Sequence, residues 1–311
     1  MTAYGGLGPA VAPPLFPHVA AVLVLFARAV DPAPALRNVL AVAGQVVLVD
    51  NTPGGHPLAA AWRDEPGVAL VVNENRGGLA GAYNAARRWL EQNSQSTSHV
   101  AFIDDDSDAT VLSAFLADQR VADALAREDT AAVAPAHRDR ATGLRARHLL
   151  LSRFRWHQLP REVRGLQRVS FVINSMSVWR IGALARIGPH NEWLGVDHVD
   201  TEYCIRAQRL GLKVYMHGSH EFAQSIGQRC DYRFLGRSLQ SGGHSSARRY
   251  SIARSLCRLF KVWLLREPAF SALCVVRLAY ELLGIVLAES GRPSKLSALS
   301  RGAIAGLLAR G

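Results

Sequence analysis

The sequence is poor in cysteine, with four in 311 residues. None of the four belongs to a CxxC pair, and none is spaced from histidines in the manner of a zinc site. The pattern therefore predicts no zinc centre built on cysteine, and a reducing cytoplasm suits these thiols best. The four residues are Cys204, Cys230, Cys257 and Cys274.

Two further absences concern membranes. The first arginine is Arg28 and no lysine precedes it, so the start of the chain lacks the basic region of a signal peptide. No apolar stretch runs unbroken for the length of a bilayer crossing, and Arg277 and Glu281 interrupt an apolar stretch near the C-terminus. We therefore expect a protein that is soluble or attached to one face of a membrane.

Basic residues are abundant. The formal net charge is +11 and the isoelectric point is about 10.1, which suggests an anionic partner: nucleic acid, a phosphorylated substrate or an acidic membrane surface. Charge alone does not choose among the three. A chain of 311 residues with 49% hydrophobic content is long enough for a full core plus an appendage.

Strand and helix patterns alternate along most of the chain. Apolar strand patterns cover 19–26, 46–50, 68–73 and 100–104, and helical patterns cover 34–43, 78–92 and 111–127. A strand pattern at 169–180, a helical pattern at 197–210 and a short strand pattern at 213–216 follow. This alternation predicts an α/β fold with an open, mostly parallel sheet covered by helices on both faces.

Two regions depart from the alternation. An arginine-rich stretch at 137–168 predicts a long excursion from the sheet, and after about Arg237 only helical patterns remain, at 247–266, 268–289 and 295–309. The first of these helices mixes basic and apolar residues, which suits an anionic membrane surface and equally a helix packed on the main domain. We therefore predict a main domain at 17–236 and a C-terminal helical extension at 237–311.

Polar residues follow three of the predicted strands, at Asp50, at 73–76 and at Asp104. The carboxyl ends of parallel strands share one edge of the sheet, where ligands of such sheets bind. Asp104, Asp105 and Asp106 are consecutive, so in an extended segment Asp104 and Asp106 face one side while Asp105 turns away. Their oxygens suit Mg²⁺ or Mn²⁺, which would hold a diphosphate.

A second acidic cluster lies near the predicted helix at 197–210. On a helix, Asp197 and Asp200 share a face, whereas Glu202 is rotated away from Asp200. The helix dipole accounts for acids at a helix start, but it leaves Glu202 and Arg206 unexplained. A carboxylate held near Asp104 would be suited to take the proton of an acceptor hydroxyl.

With these residues in view, the chain resembles the family 2 glycosyltransferases of the GT-A fold, in particular their rhamnosyltransferase-like branch. The resemblance runs from about Val19 to the C-terminus. Its markers are the strand end at 49–51, the segment 73–84, the acidic motif at 104–107 and the segment 196–206. Each marker is weak alone, and their order and spacing together are specific.

The resemblance implies a GT-A type fold, with a mostly parallel nucleotide-binding sheet and a C-terminal helical extension. It implies transfer of a sugar from a nucleotide diphosphate donor to a hydroxyl of a lipid-linked or cell-surface glycan, with inversion at the anomeric carbon. It further implies Mg²⁺ or Mn²⁺ as cofactor. We expect a cytoplasmic protein on the inner face of the cell membrane, with no nucleic-acid partner, and leave homo-oligomer formation open.

The resemblance also implies a role for each candidate residue. Donor binding falls to Asp50, Asn75, Arg76, Asp104 and Asp105, and metal ligation to Asp106. Asp200 matches the general base of the family, and acceptor binding falls to Trp193, Asp197 and Glu202.

Two positions depart from the family pattern. Gln224 precedes Ser225-Ile226-Gly227, where many relatives carry a histidine that contacts the metal. Met176 follows Asn174-Ser175, where relatives often have Ser-Gly. The first departure implies an altered metal shell, and the second implies a changed floor of the sugar pocket.

Three other classes of protein compete with this interpretation. A basic nucleic-acid-binding protein accounts for the charge but not for acids at strand ends, which oppose a phosphate backbone. A silent nucleotide-binding subunit would not need both acid clusters. A sugar nucleotidyltransferase shares the strand-end acids, but we expect a Gly-rich phosphate loop after its first strand, and 27–31 is not one.

Overall fold

The computed structural model describes residues 13–26, 31–105, 107–224, 230–234 and 237–309. The chain forms two compact units. The first comprises Met1–Asp139, Gly143–His148 and Leu159–Gln224, and the second comprises Arg140–Thr142, Leu149–Gln158 and Ser225–Gly311. The predicted domain boundary after residue 236 stays a prediction, because 235–236 lie outside the described residues.

The described strands are β1 (Phe16–Leu25), β2 (Ala43–Asp50), β3 (Val68–Val72), β4 (His99–Asp104), β5 (Thr130–Asp139), β6 (Leu149–Leu151), β7 (Trp156–Gln158), β8 (Leu166–Val169), β9 (Ser177–Arg180), β10 (Lys213–Gln224), β11 (Cys230–Phe234) and β12 (Arg237–Ser241). The described helices are α1 (Ala33–Leu40), α2 (Gly78–Asn93), α3 (Val111–Ala117), α4 (Gln119–Ala126), α5 (Ile181–Ile187), α6 (Val199–Arg209), α7 (Ser246–Trp263), α8 (Pro268–Ala288) and α9 (Arg292–Leu308).

One eight-stranded sheet organises the first unit, in the order β3-β2-β1-β4-β9-β5-β10-β8. Strands β8 and β9 run antiparallel to their neighbours and the other ladders are parallel. The inner strands are continuous apolar runs, as in Val22 and Leu23 of β1, which are fully buried because a parallel sheet is covered on both faces. The predicted α/β fold with a mostly parallel sheet, flanking helices and a helical C-terminal part is confirmed.

The predicted helix at 111–127 is wrong in one respect: it is two helices. Asp118 takes an extended conformation between α3 and α4, with φ −69° and ψ 122°. Its carboxylate accepts the N–H of Arg120 at 2.8 Å and so caps α4. The break therefore comes from an N-cap inside a continuous helical pattern, without a glycine or proline to mark it.

Strand β5 was missed, and β10 is longer than its predicted four residues. Pro135 lies inside β5, and proline in a central strand argues against a strand because it lacks an N–H. The structure accommodates it opposite an irregularity in β10, where His217 pairs with Pro135 and Glu221 pairs with Ala136. The single strand predicted at 169–180 is also wrong in extent, since Val169 is the last residue of β8 and Ser177–Arg180 form β9.

The second unit contains the hairpins β6–β7 and β11–β12 and the helices α7, α8 and α9. Arg249 of α7 is fully buried, and its guanidinium pairs with the carboxylates of Glu281 and Glu289. Lys295 adds a contact to Glu289 at 2.8 Å. Buried charges of this kind remain ionised only when they are paired, so this cluster ties α7 to α8 and to the start of α9.

By length and composition, helix α8 is long and apolar enough to cross a membrane, and Arg277 and Glu281 interrupt its apolar stretch as the sequence indicates. Helix α8 has 21 residues and a window of mean hydropathy 1.9, of which 33% is buried in the structure. The two charged residues of α8, Arg277 and Glu281, both lie within this window. Glu281 pairs with the buried Arg249. The helix is therefore anchored within the second unit through this ion pair.

Candidate active site

Two of the predicted acidic positions lie at one edge of the sheet. In the parallel ladders, Asp50 of β2 lies beside Leu25 of β1, and Asp104 of β4 lies beside Val24. One strand separates their backbones, which are therefore roughly 10 Å apart. Both carboxylates flank the carboxyl end of β1, where ligands of parallel sheets bind.

The carboxylate of Asp50 folds the loop that follows β2. Its Oδ1 accepts the N–H of Thr52 at 3.0 Å, and its Oδ2 accepts the N–H of His56 at 2.8 Å. Asp50 itself is only 4% exposed. These hydrogen bonds show that Asp50 stabilises the loop after β2. Its contact with a nucleobase stays a prediction.

Three asparagines join the ends of β2 and β3 to the start of α2. Nδ2 of Asn73 donates to Oδ1 of Asn51 at 2.7 Å. Nδ2 of Asn51 lies 3.4 Å from Oδ1 of Asn75 and 3.3 Å from the carbonyl of Gly78. Asn75 has a left-handed backbone, with φ 57°, which turns the chain from β3 into α2. The predicted donor residue Asn75 is thus fixed by its neighbours.

Arg76 presents its charge to solvent beside this network. Its side chain is 74% exposed, its Nε donates to the carbonyl of Asn73 at 3.2 Å, and it lies 3.4 Å from Glu74. An exposed pair of this kind contributes little to stability. These contacts restrain the exposed guanidinium only weakly, and its contact with a donor stays a prediction.

The acidic motif after β4 has a neighbour from β10. Nε2 of Gln224 donates to Oδ2 of Asp104 at 3.2 Å, which places the departure from the family pattern directly beside the predicted donor residue. Asp104 and Asp105 are both partly exposed. Asp106, the predicted metal ligand, lies outside the described residues, as do Ser225, Ile226 and Gly227.

Tyr83 of α2 is buried, and acids from both predicted halves of the site act on its phenol. Burial raises the pKa of its phenol well above the ordinary value, and the charges of Asp104 and Asp200 raise it further. Both carboxylates therefore lie close enough to act on the same hydroxyl. Its ring packs on Phe102 of β4, with the centroids 4.7 Å apart.

Asp200 lies in the first turn of α6. Its Oδ1 accepts the N–H of Thr201 at 2.6 Å and contacts the Thr201 hydroxyl at 3.2 Å. Burial raises the pKa of Asp200, and the charge of Asp197 adds to the rise against the hydrogen bonds from Thr201. A raised pKa favours a carboxyl group that can take up a proton during a reaction.

Asp197 does not share a helix face with Asp200, so that part of the sequence interpretation is wrong. Helix α6 begins at Val199, and His198 before it has a left-handed backbone with φ 68°. A left-handed residue cannot continue a right-handed helix, so α6 does not extend back to Asp197. Asp197 therefore lies in the preceding loop, where its charge still acts on Asp200.

Glu202 faces the interior. It is 1% exposed, its carboxylate lies 2.9 Å from Nε of Arg206, and it accepts a hydrogen bond from Nδ2 of Asn191 at 2.8 Å. Arg206 also donates to the carbonyls of Ile187 and Pro189. This network fixes the loop before α6, and contact of Glu202 with an acceptor stays a prediction.

Trp193 lies in a one-turn 3₁₀ helix, Glu192–Leu194, that packs against the start of α2. A Cβ added at Gly77 would lie 2.6 Å from a carboxylate oxygen of Glu192, and one added at Gly78 would lie 2.7 Å from the carbonyl of Gly195. The two glycines therefore allow this close approach. The half-buried Trp193 is thus held beside the edge that carries Asn75.

Asn84 of α2 is a positioning residue that the sequence interpretation missed. Its Nδ2 donates to the carbonyl of His190 at 2.9 Å and to Glu192 at 2.8 Å, and its Oδ1 accepts the N–H of His190 at 2.7 Å. The ring of His190 stacks on Tyr203 at 3.8 Å. Tyr83 and Asn84 both belong to the segment 73–84, which was one of the markers of the family resemblance. Membership of that segment was the sequence signal that could have identified Asn84.

A second group of titratable side chains, apart from the strand-end acids, comes from β10 and from the α3–α4 junction. Asp118, His217 and His220 each place one nitrogen or oxygen atom within 4.8 Å of the others. Nε2 of His220 lies 2.9 Å from Oδ2 of Asp118. Burial lowers the pKa of His217, and Asp118 opposes that shift.

Neither the family models nor the curated proteins give a sequence match. Among solved structures, the chain is similar to GalNAc-T7, solved with UDP, GalNAc and Mn²⁺, with a TM-score of 0.48 and 14% identity. It is also similar to residues 1–349 of S. aureus TarS and to a longer TarS chain, each with a TM-score of 0.47, at 13% and 14% identity. Both proteins are GT-A glycosyltransferases.

The matches cover 80% of this chain for GalNAc-T7 and 85% for both TarS chains. Of the matched proteins they cover 48% of GalNAc-T7, 70% of the shorter TarS chain and 42% of the longer one. The chain therefore spans about half the length of the first protein it matches.

Proposed function

We propose that the chain is an inverting glycosyltransferase that moves a sugar from a nucleotide diphosphate donor to a hydroxyl of a lipid-linked or cell-surface glycan. Asp104 and Asp105 belong to the donor half of the site, and Asp200 is the general base. The resemblance to the rhamnosyltransferase-like branch makes a rhamnose donor the first to test.

One observation carries the proposal: the charges of Asp104 and of Asp200 both raise the pKa of the buried phenol of Tyr83. This shared influence on Tyr83 supports the assignment of the acidic strand end and of Asp200, whose own pKa is raised, to one site. The acceptor hydroxyl and the leaving diphosphate lie on opposite sides of the same anomeric carbon during an inverting transfer. The donor and acceptor halves of the site must therefore be neighbours.

The chemistry assigns one step to Asp200. Its carboxylate takes the proton of the acceptor hydroxyl while the acceptor oxygen forms a bond to the anomeric carbon. The bond from that carbon to the diphosphate oxygen breaks, and the nucleoside diphosphate leaves with the electron pair. Because the raised pKa of Asp200 is caused first by burial, we expect the rate to fall with decreasing pH earlier than for an exposed aspartate.

A divalent cation fits the donor half. Asp104 offers a partly exposed carboxylate at the strand end, Asp105 follows it, and Gln224 adds an amide beside them. Oxygen ligands of this kind suit Mg²⁺ or Mn²⁺, with Asp106 as the predicted further ligand. Such an ion, when bound, offsets the negative charge of the diphosphate.

Attachment to an anionic membrane surface on the cytoplasmic side belongs to the same proposal. The apolar residues of α7, such as Leu256 and Trp263, are buried, so this helix does not present them to lipid. Helix α8 exposes an apolar face instead, as at Val275 and Leu282. Exposed Arg277 lies on the same helix and favours anionic lipid.

The test is a screen of nucleotide sugars by hydrolysis and thermal shift, with and without Mn²⁺, followed by Asp200→Asn. We expect one donor to be preferred, and we expect Asp200→Asn to lower transfer by about 10²- to 10⁴-fold while donor affinity stays within about twofold. The matched control is Asp123→Asn on the exposed side of α4, which should transfer at the normal rate.

Near-normal turnover by Asp200→Asn would refute its assignment as the base. Release of pyrophosphate from a nucleoside triphosphate and a sugar phosphate would instead support a nucleotidyltransferase. No response to any nucleotide sugar would count against the whole proposal.

A further inference from the structure

Strand β10, next to the edge strand β8, contains a three-residue bulge near its middle. His217 pairs with Pro135 and Glu221 pairs with Ala136, so 218–220 have no counterparts in β5. Residues three apart in a regular strand point to opposite faces, which would separate His217 from His220. The bulge removes that alternation, and the two rings lie 4.9 Å apart with an angle of 55° between them.

The segment before β8 holds this bulge in place. The N–H of Gly218 donates to the carbonyl of Gly165 at 2.8 Å, and the N–H of Gly165 donates to the hydroxyl of Ser219 at 3.1 Å. A Cβ added at Gly218 would lie 1.9 Å from the carbonyl oxygen of Val163. Only glycine therefore fits at 218, and the position of the two histidines depends on it.

Asp118 brings a carboxylate to the same place from the break between α3 and α4. Its Oδ1 is occupied by the N–H of Arg120, which leaves Oδ2 directed at the histidines. Oδ2 lies 2.9 Å from Nε2 of His220 and 3.5 Å from Nε2 of His217. Ligand atoms about 2.0–2.2 Å from a common ion are separated by distances of this size.

His217 supplies an independent sign of a ligand. It is 1% exposed, and among the described residues its Nε2 has no hydrogen-bond partner although it points toward Asp118. A buried polar atom without a hydrogen-bond partner lowers the stability of the fold unless a ligand binds to it. His220 and Asp118 are partly exposed, at 18% and 25%, so an ion can enter from their side.

We propose that Asp118, His217 and His220 form a binding site for a divalent transition metal of the Zn²⁺ class, separate from the strand-end acids. Two imidazoles and one carboxylate select such ions over Mg²⁺, and three protein ligands leave a fourth position for water. The site joins β10 to the α3–α4 junction. It does not depend on the proposed transferase activity.

The site is distinct from the predicted donor metal site. Gln224, which contacts Asp104, lies four residues beyond His220 on β10, a distance of about 13 Å along an extended strand. The strand-end site offers oxygen atoms, whereas this cluster offers two imidazole nitrogens. The two sites therefore differ in position and in the metals they favour.

Binding requires a rearrangement of protons on both imidazoles. Nε2 of His220 carries a proton where it donates to Oδ2 of Asp118, and this proton must leave Nε2 before that nitrogen can bind an ion. Nδ1 of His217 accepts the N–H of Ser219 at 3.3 Å, so the neutral ring carries its proton on Nε2 in the metal-free arrangement. Ligation through Nε2 moves this proton to Nδ1 and gives up the contact with Ser219. That contact is long for a hydrogen bond, so it is the one expected to yield.

The test titrates Co²⁺ into the tag-free full chain, stripped of metal with a chelator and free of nucleotide. We expect one Co²⁺ per chain with visible absorption bands, displacement by Zn²⁺, and a melting temperature raised by roughly 4 °C or more at saturating Zn²⁺. Asp118→Ala and His220→Ala should weaken Co²⁺ binding by about tenfold or more.

Three further variants keep the test decisive. His220→Gln can still donate a hydrogen bond to Asp118, so it preserves the fold while it removes the imidazole. His157→Ala, at an exposed histidine of β7, and Asp104→Ala, at the strand-end site, should both bind Co²⁺ normally. Wild-type affinity in His220→Gln, or loss of binding in His157→Ala, would overturn the proposal, as would the absence of visible bands in the unaltered chain.

Discussion

The side chain of Gln224 donates its Nε2 hydrogen to Oδ2 of Asp104 at 3.2 Å, although 120 residues separate the two along the chain. The contact arises because β10 and β4 run in the same direction, so their carboxyl ends meet at one edge of the sheet. An amide beside a carboxylate satisfies one of its oxygen atoms without adding charge. Gln224 therefore occupies one oxygen of the carboxylate that we propose as part of the donor metal site.

Gln224→His should strengthen divalent metal binding in the donor half. An imidazole beside Asp104 adds a nitrogen ligand, so we expect Mn²⁺ affinity in the presence of the nucleotide to rise about tenfold. Isothermal titration of Mn²⁺ with and without Asp104→Ala measures the change. Unchanged affinity in Gln224→His would show that position 224 does not reach the ion.

Asp200→Asn should stabilise the fold at neutral pH. Burial raises the pKa of Asp200, so the folded state prefers the protonated form and loses stability as the pH rises through that raised pKa. The neutral amide removes this loss. We expect the melting temperature to rise by about 2–4 °C at neutral pH, a typical gain for one stabilising change in a chain of this size.

The gain should disappear in acid, since both proteins are uncharged at residue 200 below the ordinary aspartate pKa of about 3.9. Thermal melts at several pH values measure it. A gain that is independent of pH would mean that packing, and not charge, separates the two proteins.

The strand-end acids were predictable because each follows a continuous apolar run. Asp50 and Asp104 therefore fall at the sheet edge in both the prediction and the structure. The order of the strands was not predictable, since β9 enters between β4 and β5 from a distant part of the sequence. The contact of Gln224 with Asp104 depends on that order.

Other features have no local signal. The break at Asp118 lies in a helical pattern without glycine or proline, and the bulge in β10 lies opposite a proline of the partner strand. The roles of Glu202 and Arg249 depend on burial, which composition does not reveal for a charged residue. Such residues read as surface charges until their partners are known.

Arg249→Met should destabilise the second unit strongly. The change leaves the buried carboxylates of Glu281 and Glu289 without their shared cation, and removal of one partner from a buried ion pair costs about 3–5 kcal/mol. Urea unfolding measures the loss. Arg248→Met, at the exposed neighbouring position, is the matched control and should change the free energy of unfolding by less than about 0.5 kcal/mol.

The same cluster predicts a pH dependence. Burial acts to raise the pKa of Glu289, but hydrogen bonds from Lys295 and Ser241 and the charge of Arg249 outweigh it, so the net pKa is lowered. This stability is present above the ordinary glutamate pKa and is lost as the pH falls through the lowered value. In Arg249→Met the acid dependence should be weaker, and an unchanged dependence would contradict the pairing.

The exposed face of α8 should mediate contact with anionic membranes. Val275, Leu282 and Val286 are spaced by seven and four residues, so they share one face of the helix, and each is at least 41% exposed. Removing such side chains from water contributes roughly 1.5–3 kcal/mol each. We therefore expect Leu282→Glu with Val286→Glu to weaken binding to anionic liposomes by at least about tenfold.

Leu144→Glu provides the matched control, because Leu144 is 50% exposed but belongs to the first unit. Co-sedimentation with anionic and with neutral vesicles separates the apolar contribution from the electrostatic one, and Arg277→Gln should affect only the anionic vesicles. Equal binding by the double variant and Leu144→Glu would mean that α8 does not contact lipid. Its exposed face would then have to be covered by protein, since an apolar surface of this kind on a soluble chain marks an interaction site.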